Sequence, residues 1–343
     1  MEYIKLKNFQ MILQQAIQDE WSDIHLTVGQ KVYYRKKNDL YLWDKVSFSV
    51  SDFQEVITTT LKAQQLEKFK QKQVIDYAYE LSNRRFRINI YAVYKGYSMA
   101  IRLINNQVLS LTNFYQQRIL QSLLQRNSGM ILICGATGTG KSTTLAAMIE
   151  FINQRYAKHI ITLEEPIEYV FNSKQALIHQ REYQIDFTDF SSAIKMAMRQ
   201  DPDVIMVGEI RDEETMKACL NAGETGHLVL GTLHASSVVE AILRMESFFE
   251  TEQLNAVNLQ IASALNSIIV QKLVPTIEHD LSCCMDILIN NIAVKNLISN
   301  HQLAQLKSQM QLSKKQGMQF MKDDIMNLYK LRKITDDVMK MYL

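Results

Sequence analysis

The chain has 343 residues, enough for about two domains, and its hydrophobic fraction of 47% is typical of a folded protein with a substantial core rather than a disordered one. Its formal net charge of +2 excludes a global bias toward nucleic acid or an anionic membrane, so any such contact needs a local basic patch. The four cysteines form no C-x-x-C pair, which argues against a tetracysteine zinc site or a disulfide framework and favours a reducing cytoplasm.

The hydropathy pattern offers no membrane anchor. No apolar run approaches the roughly 20 residues that a spanning helix needs. The first five residues also lack the basic stretch and apolar core of a signal peptide. We therefore expect any association with a membrane to be peripheral.

Residues 1–104 predict a small α+β domain. Apolar side chains recur at helical spacing over 3–20, and a second helix is expected over 53–66. Alternating apolar and polar residues predict six short strands, at 24–29, 32–34, 40–43, 74–79, 85–93 and 97–103. The polar stretch 105–125 then predicts a linker to the next domain.

From residue 126 the pattern changes to strand followed by helix, repeated along the chain. This order is typical of a parallel sheet flanked by helices, and it predicts an α/β domain over 126–255. The spacing after that predicts a helical C-terminal region over 256–343. Its helices are expected at 257–270, 293–299, 325–331 and 336–341.

The residues 135–142 have the G-x-x-x-x-G-K-[ST] spacing of a phosphate-binding loop, between an apolar strand and a helix. Glycines let the backbone curl round a phosphate, and the N–H groups at the helix start point at the anion. Lys141 can reach the outer phosphates, and Ser142 can ligate Mg²⁺. We therefore predict that the chain binds ATP with Mg²⁺. The predicted contacts are Gly135, Ala136, Thr137, Gly138, Thr139, Gly140, Lys141, Ser142 and Thr143.

Three later apolar strands are followed by polar residues suited to phosphoryl transfer. Glu164 follows the first, Glu209 the second and His234 the third, while His227 precedes that third strand. Ligands of open parallel sheets bind beyond the carboxyl ends of the strands, so the groups that follow the strands should converge on the phosphate loop.

Each of these residues has a predicted role. Glu209 is a Walker B-like candidate for holding Mg²⁺ or the attacking water, and Glu164 is a candidate for orienting that water. His234 is a candidate contact to the γ-phosphate or to a neighbouring subunit. Solvated strand-end carboxylates and structural histidines are the alternative interpretations.

Two basic features have ordinary explanations from the sequence alone. Arg85, Arg87 and Arg102 are typical of surface arginines on strands. The basic and aromatic run 33–37 is compatible with nucleic-acid binding, but a solvated hairpin is the more usual structure for such a run.

Taken in order along the chain, the motifs resemble those of the secretion and pilus ATPases, the hexameric motors of type II secretion and type IV pilus systems. Within these motifs, 161–169 resembles the family's Asp box, 199–212 contains its Walker B segment and 226–236 resembles its His box. The matching segments are 22–26, 85–89, 135–142, 161–169, 199–212 and 226–236.

The resemblance implies a RecA-like ATPase domain joined to a smaller PAS-like N-terminal domain, with ATP bound between them in a homohexamer. It implies that Arg87 and Arg102 act as arginine fingers and that Arg85 and His227 contribute to nucleotide binding. Glu164 and Glu209 would be the two catalytic carboxylates, with Lys141 and His234 on the phosphates.

Some features depart from the family pattern. Glu165 stands where an aspartate is usual, the tetracysteine zinc module of many secretion-system members is absent, and 293–299 matches the charged motif of retraction motors only in part. The chain is therefore most similar to the competence-pilus ATPases (ComGA type) of Gram-positive DNA-uptake systems.

This similarity implies a motor on the inner face of the cell membrane that assembles a pilus-like fibre for DNA uptake. Its partners would be a membrane platform protein and, indirectly, pilin-like subunits, with no direct contact to nucleic acid. A retraction motor, a type II secretion ATPase, a DNA translocase and a nucleotide-binding scaffold that does not cycle are the alternatives.

Overall fold

Two sheets organise the chain in a computed structural model that describes residues 6–36, 39–82, 84–104, 108–278 and 280–343. One compact unit comprises Met1–Gln107 with Pro166–Val170, and the other comprises Val108–Glu165 with Phe171–Leu343. The first three residues of the predicted linker, 105–107, lie outside the described residues, as does Lys37 of the basic run.

The first unit is built on a six-stranded antiparallel sheet in the order β3-β2-β1-β6-β5-β4. Alternation along β5 buries Phe86, Ile88 and Ile90 and leaves the residues between them on the other face. The elements are α1 (Lys7–Asp19), β1 (Asp23–Thr27), β2 (Lys31–Lys36), β3 (Asp39–Ser47), α2 (Val50–Thr60), α3 (Ala63–Lys72), β4 (Val74–Leu81), β5 (Arg84–Val93) and β6 (Gly96–Leu103).

The helix predicted over 53–66 is two helices, because the backbone is extended at Leu61 and α3 begins only at Ala63. Three consecutive threonines, 58–60, end α2. Their β-branched side chains restrict χ1, and the Thr60 hydroxyl donates a hydrogen bond back to the Val56 carbonyl oxygen. Apolar residues recur at helical spacing on both sides of Leu61, so the sequence pattern does not show that α2 ends there.

The second unit is built on a seven-stranded sheet in the order β13-β12-β7-β11-β10-β8-β9, parallel except for β13. Its strands are β7 (Gly129–Cys134), β8 (His159–Glu164), β9 (Leu177–Glu182), β10 (Val204–Val207), β11 (Leu228–Leu233), β12 (Leu265–Pro275) and β13 (Leu281–Ile289). The central strands β7, β10 and β11 are buried along their whole length, as in a sheet covered on both faces.

Helices surround this sheet. They are α4 (Gln117–Leu123), α5 (Lys141–Arg155), α6 (Phe190–Ala197), α7 (Glu213–Glu224), α8 (Val238–Glu246), α9 (Leu254–Ala264), α10 (Ile292–Ser299), α11 (Leu306–Leu312), α12 (Met321–Lys330) and α13 (Asp336–Tyr342). Helix α4 lies inside the stretch predicted as a linker, with Leu120 and Leu123 buried. Among the described residues, no helix is both long and apolar enough to cross a bilayer.

The prediction of a wholly helical C-terminal region is wrong. Helix α9 ends at Ala264, and the chain then forms β12 and β13, which extend the sheet beyond β7. The run Ile268, Ile269 and Val270 is buried on both faces of the sheet. A strand with two buried faces has no alternating pattern, so its spacing cannot be told from that of a buried helix.

Asp324 on α12 ties this hairpin to the rest of the second unit. Its Oδ2 accepts hydrogen bonds from the Met285 amide at 2.8 Å, from the Gln319 side chain at 2.9 Å and from the Gln116 side chain. Burial raises the pKa of this carboxyl from 3.8 to about 6, against the opposing effect of the three donors. The native state therefore holds the proton more tightly than the unfolded chain does.

We expect the stability of the chain to fall as the pH rises from about 4 to about 6, by about 2–3 kcal/mol from Asp324 alone. Above that range the contribution is constant, because the carboxyl is ionised in both states. Denaturant unfolding at pH 4, 5, 6 and 7 measures this, with Asp324→Asn as the comparison. The difference between wild type and Asp324→Asn should change across this window, and a constant difference would contradict the assignment.

Candidate active site

The phosphate loop connects the carboxyl end of β7 to the first turn of α5. Gly135 has φ of +151°, and a Cβ there would lie 2.5 Å from the Thr139 hydroxyl oxygen and 2.8 Å from the Gln271 backbone oxygen. Only glycine fits that position. Gly140 has φ of +83° and turns the chain directly into the helix.

Lys141 extends back over this loop. Its Nζ donates hydrogen bonds to the Gly135 carbonyl oxygen at 2.8 Å and to the Ala136 carbonyl oxygen at 3.0 Å. The helix start adds its own partial positive charge and its free N–H groups. The loop therefore concentrates positive charge and hydrogen-bond donors around a space suited to a phosphate.

Two carboxylates lie at the same edge of the sheet. Leu163 of β8 is paired with Val207 of β10, so Glu164 and Glu209 both follow the carboxyl ends of neighbouring parallel strands. The registers of β10 with β11 and of β11 with β7 place His234 and the phosphate loop at that edge as well. The predicted convergence of these groups is therefore present within the second unit.

Glu209 is the centre of a charged network. Its Oε1 lies 3.0 Å from the His234 Nε2, and its Oε2 accepts a hydrogen bond of 2.7 Å from Arg211. Arg211 also donates to Glu165 at 2.6 Å, so it bridges two carboxylates. The hydrogen bond that Arg211 donates to Glu209 is the main reason that the pKa of Arg211 is raised. Glu165, which stands where the family pattern has an aspartate, thus has Arg211 as its ion-pair partner.

Glu164 is buried and held in place by two donors. The Thr162 hydroxyl donates to its Oε1 at 2.6 Å, and the Gln180 amide donates to the same atom at 3.0 Å. A group that orients a water molecule needs such fixed geometry.

The side chains present fit a magnesium ion that is shared with a nucleotide. Ser142 is exposed in the first turn of α5, and Glu209 is partly exposed beyond β10, so both offer the oxygen ligands that Mg²⁺ prefers. Within the described residues, no group of three or more His, Cys, Asp or Glu side chains could hold a metal by itself. Mg²⁺ in nucleotide sites is normally held by one or two protein groups together with phosphates and water.

The prediction that His227 binds nucleotide at this loop needs correction. His227 comes before β11, where Leu228 is paired with Gly129, whereas the phosphate loop follows Cys134, the partner of Leu233. Six strand residues separate the two edges of the sheet by roughly 20 Å. The Nδ1 atom of His227 lies 3.1 Å from the Ala222 carbonyl oxygen, at the end of α7.

The three predicted arginines belong to the first unit. Arg87 and Arg102 are directly opposite each other on β5 and β6. The Arg87 guanidinium donates to Asp76 Oδ1 at 3.2 Å and, through two nitrogens, to Asp76 Oδ2 at 2.6 and 2.9 Å. The Nε of Arg102 donates to Asp23 Oδ1 at 2.9 Å. Arg85 lies two residues before Arg87, on the same face of β5.

Sequence reasoning missed Gln271, although it contacts the phosphate loop. Gln271 is on β12, just beyond Val270, the partner of Cys134. The spacing of apolar residues predicts a helix over 257–270, so nothing in the sequence placed Gln271 on a strand beside β7.

A cavity of about 770 Å³ opens beside the loop within the second unit. Gly140, Thr143 and Thr144 line one side, and Asn113 and Tyr115 are among the residues on the other sides. This volume is in the range of small-molecule sites and can hold a base and a sugar.

Comparisons with known proteins relate nearly the whole chain to one family of proteins. Residues 3–340 match the family described as "Type II/IV secretion system protein". The chain is 38% identical over 284 residues to "Twitching motility protein" of Neisseria gonorrhoeae, covering 82% of this chain and 75% of that protein. It is 35% identical over 299 residues to "Type IV pilus retractation ATPase PilT" of Pseudomonas aeruginosa, covering 87% of both. A solved structure of the pilus retraction motor PilT with bound ADP superposes with a TM-score of 0.87, at 34% identity, over 96% of this chain and 95% of that one.

Proposed function

We propose that the chain, which belongs to the Type II/IV secretion system protein family and is an ATPase, is a pilus motor. In this proposal the motor withdraws subunits from a type IV pilus-like fibre. The observation that carries the motor assignment is the presence of Lys141, Glu164 and Glu209 at one edge of a single sheet. A protein that only binds nucleotide does not need two positioned carboxylates.

In this proposal the outer phosphates of ATP lie in the phosphate loop, where Lys141 and the helix start balance their charge. Mg²⁺, when bound by Ser142 and Glu209, would supply further charge neutralisation. Glu164 orients the attacking water, and His234 holds Glu209 and senses the γ-phosphate. The base and ribose occupy the cavity beside Gly140 and Thr143.

The first unit is proposed to be a PAS-like domain that supplies arginines to the phosphates. Arg87 and Arg102 are the proposed arginine fingers, and Arg85 a further phosphate contact. A guanidinium stabilises charge on the transferring phosphoryl group. To do so, Arg87 must release Asp76 and Arg102 must release Asp23, so that phosphate replaces a carboxylate as the partner of each arginine.

The proposed assembly is a homohexamer at the cytoplasmic side of the cell membrane. Its direct partner would be a membrane platform protein, with pilin-like subunits moved indirectly and no contact to nucleic acid. This arrangement rests on the family membership and on the near-complete coverage of the retraction ATPase.

Retraction is favoured over assembly because two of the three proteins compared above carry retraction in their names and match most of the chain. Assembly of a competence fibre by a ComGA-type motor is the second candidate. It is favoured by 293–299, where Ser299 and uncharged neighbours depart from a charged retraction motif.

Deleting the gene in its own organism distinguishes the two directions, with surface fibres counted by electron microscopy. A retraction motor predicts more or longer fibres after deletion, because subunits are added but no longer removed. Loss of all fibres would contradict retraction and support assembly. Complementation with wild type and with Glu209→Gln, which is expected to keep nucleotide binding, distinguishes a motor from a scaffold, because a nucleotide-binding scaffold that does not cycle would be restored by both.

A further inference from the structure

Gln271 is nearly inaccessible to solvent, at 1% exposure, and its side-chain amide contacts both the phosphate loop and helix α5. Its Nε2 donates a hydrogen bond of 2.6 Å to the Thr139 carbonyl oxygen. Its Oε1 accepts a hydrogen bond of 2.9 Å from the Thr144 hydroxyl. One side chain therefore joins the last part of the loop to the first turn of α5.

Gln271 also limits the space beside two glycines of the loop, once through its backbone and once through its side chain. A Cβ on Gly135 would lie 2.8 Å from the Gln271 carbonyl oxygen, and a Cβ on Gly140 would lie 3.4 Å from its Nε2. Two glycines of the motif thus face this one residue. The loop is therefore packed against β12 at Gly135 and Gly140, while residues 136–138 are exposed.

These contacts matter for phosphate binding because they fix the direction of peptide groups. The C=O and the N–H of one trans peptide group point in opposite directions. When Gln271 holds the carbonyl oxygen of such a group, the N–H of the following residue therefore points away from Gln271. For Thr139 the following residue is Gly140, in the loop that would surround the phosphate. Without the hydrogen bond to Gln271, this peptide group could rotate, and its N–H would point at the phosphate only part of the time.

We propose that Gln271 is a positioning residue that holds the phosphate loop in its nucleotide-binding conformation through Thr139 and Thr144. This inference rests on the proposed nucleotide chemistry of the same loop, and it adds a residue outside the motif. It makes the C-terminal hairpin a part of the nucleotide site rather than an extension of the sheet alone.

The test uses the full chain with Gln271→Met, which keeps side-chain length and removes both hydrogen bonds. We expect the Kd for ADP, measured calorimetrically, and the KM for ATP to rise about tenfold, with kcat within about twofold of wild type. Thr144→Val should weaken ADP binding in the same direction, and Thr144→Ser, which keeps the hydroxyl, should restore it.

Ser267→Ala is the matched control on the same strand. Ser267 is also buried and donates a hydrogen bond of 2.7 Å, to the Leu288 carbonyl oxygen, but it lies near the other end of β12. It should lower the Tm without changing the Kd for ADP.

The outcomes separate the two hypotheses. If Gln271→Met lowers the Tm and leaves the Kd and KM unchanged, Gln271 has a structural role only and the inference is wrong. If Gln271→Met does not fold, the Thr144 pair decides, and equal affinity of the valine and serine variants overturns the inference. If wild type itself binds no ADP, it is the proposed function that fails.

Discussion

Glu209→Gln is expected to lower the kcat for ATP hydrolysis by about 10²–10³-fold while leaving the Kd for ATP within a few-fold of wild type. Glutamine keeps the size of the side chain and removes the negative charge. That charge is what would let Glu209 hold Mg²⁺, the cation that balances the negative charge of the transferring phosphoryl group. Steady-state phosphate release and equilibrium nucleotide binding measure the two effects separately.

Glu213→Gln is the matched control, because Glu213 is a partly exposed glutamate paired with Lys217 one turn away on α7. It should change neither kcat nor binding, since such surface pairs contribute about 0.3–0.5 kcal/mol at most. If wild type hydrolyses ATP no faster than Glu209→Gln, the chain is not a motor. A nucleotide-binding scaffold would then be the better description.

Lys141→Met is expected to weaken ATP binding by about a hundredfold or more, the largest effect on affinity of any single change in the loop. Nζ of Lys141 lies within 3.0 Å of two carbonyl oxygens of the loop, so its charge is at the place where the outer phosphates would lie. Losing one charge-assisted hydrogen bond to a phosphate costs about 1.5–3 kcal/mol, and loss of its longer-range attraction to the triphosphate adds to that. Titration of the purified variant with ATP and Mg²⁺ gives the Kd.

Lys158→Met is the control for removing a lysine elsewhere on the same unit. Lys158 comes just before β8, at the amino edge of the sheet, and its Nζ lies 3.4 Å from the Asn127 side-chain oxygen. Equal loss of ATP affinity in both variants would mean that the chain binds ATP by general electrostatics and not through its loop. Retained affinity in Lys141→Met would remove the phosphate loop from the proposed site.

Much of the candidate site could be predicted because it depends on short stretches of chain. The phosphate loop needs only eight consecutive residues with glycines where the backbone requires positive φ, as at Gly138 and Gly140. Glu164 and Glu209 could be predicted because parallel strands bring their carboxyl ends to one edge whatever their order in the sheet. In the first unit, alternation of buried and less buried residues is clear along β1 and β5, which made those strands predictable.

Other features depended on contacts that no local pattern records. The first part of β12 was predicted as helix because burial on both faces removes alternation. The strand β13 lies in a stretch for which no individual helix was predicted, within the region predicted to be helical. His227 was assigned to the nucleotide by the resemblance to the ATPase family, yet β11 places His227 and His234 at opposite edges of the sheet. The raised pKa of Asp324 comes from its burial, which depends on packing against β13 and the segments just before α4 and α12.

The amino-acid sequence by itself determined the phosphate loop and the carboxylates at the ends of β8 and β10. The conformation of the loop is set by neighbouring residues, and the repeated order of strand and helix makes these strands parallel. Only the tertiary structure decided what supports the loop. Gln271 is 132 residues from Thr139 and 127 from Thr144, and it reaches both because β12 pairs with β7. That pairing is a property of the packed sheet, in which the order of strands differs from their order in the chain.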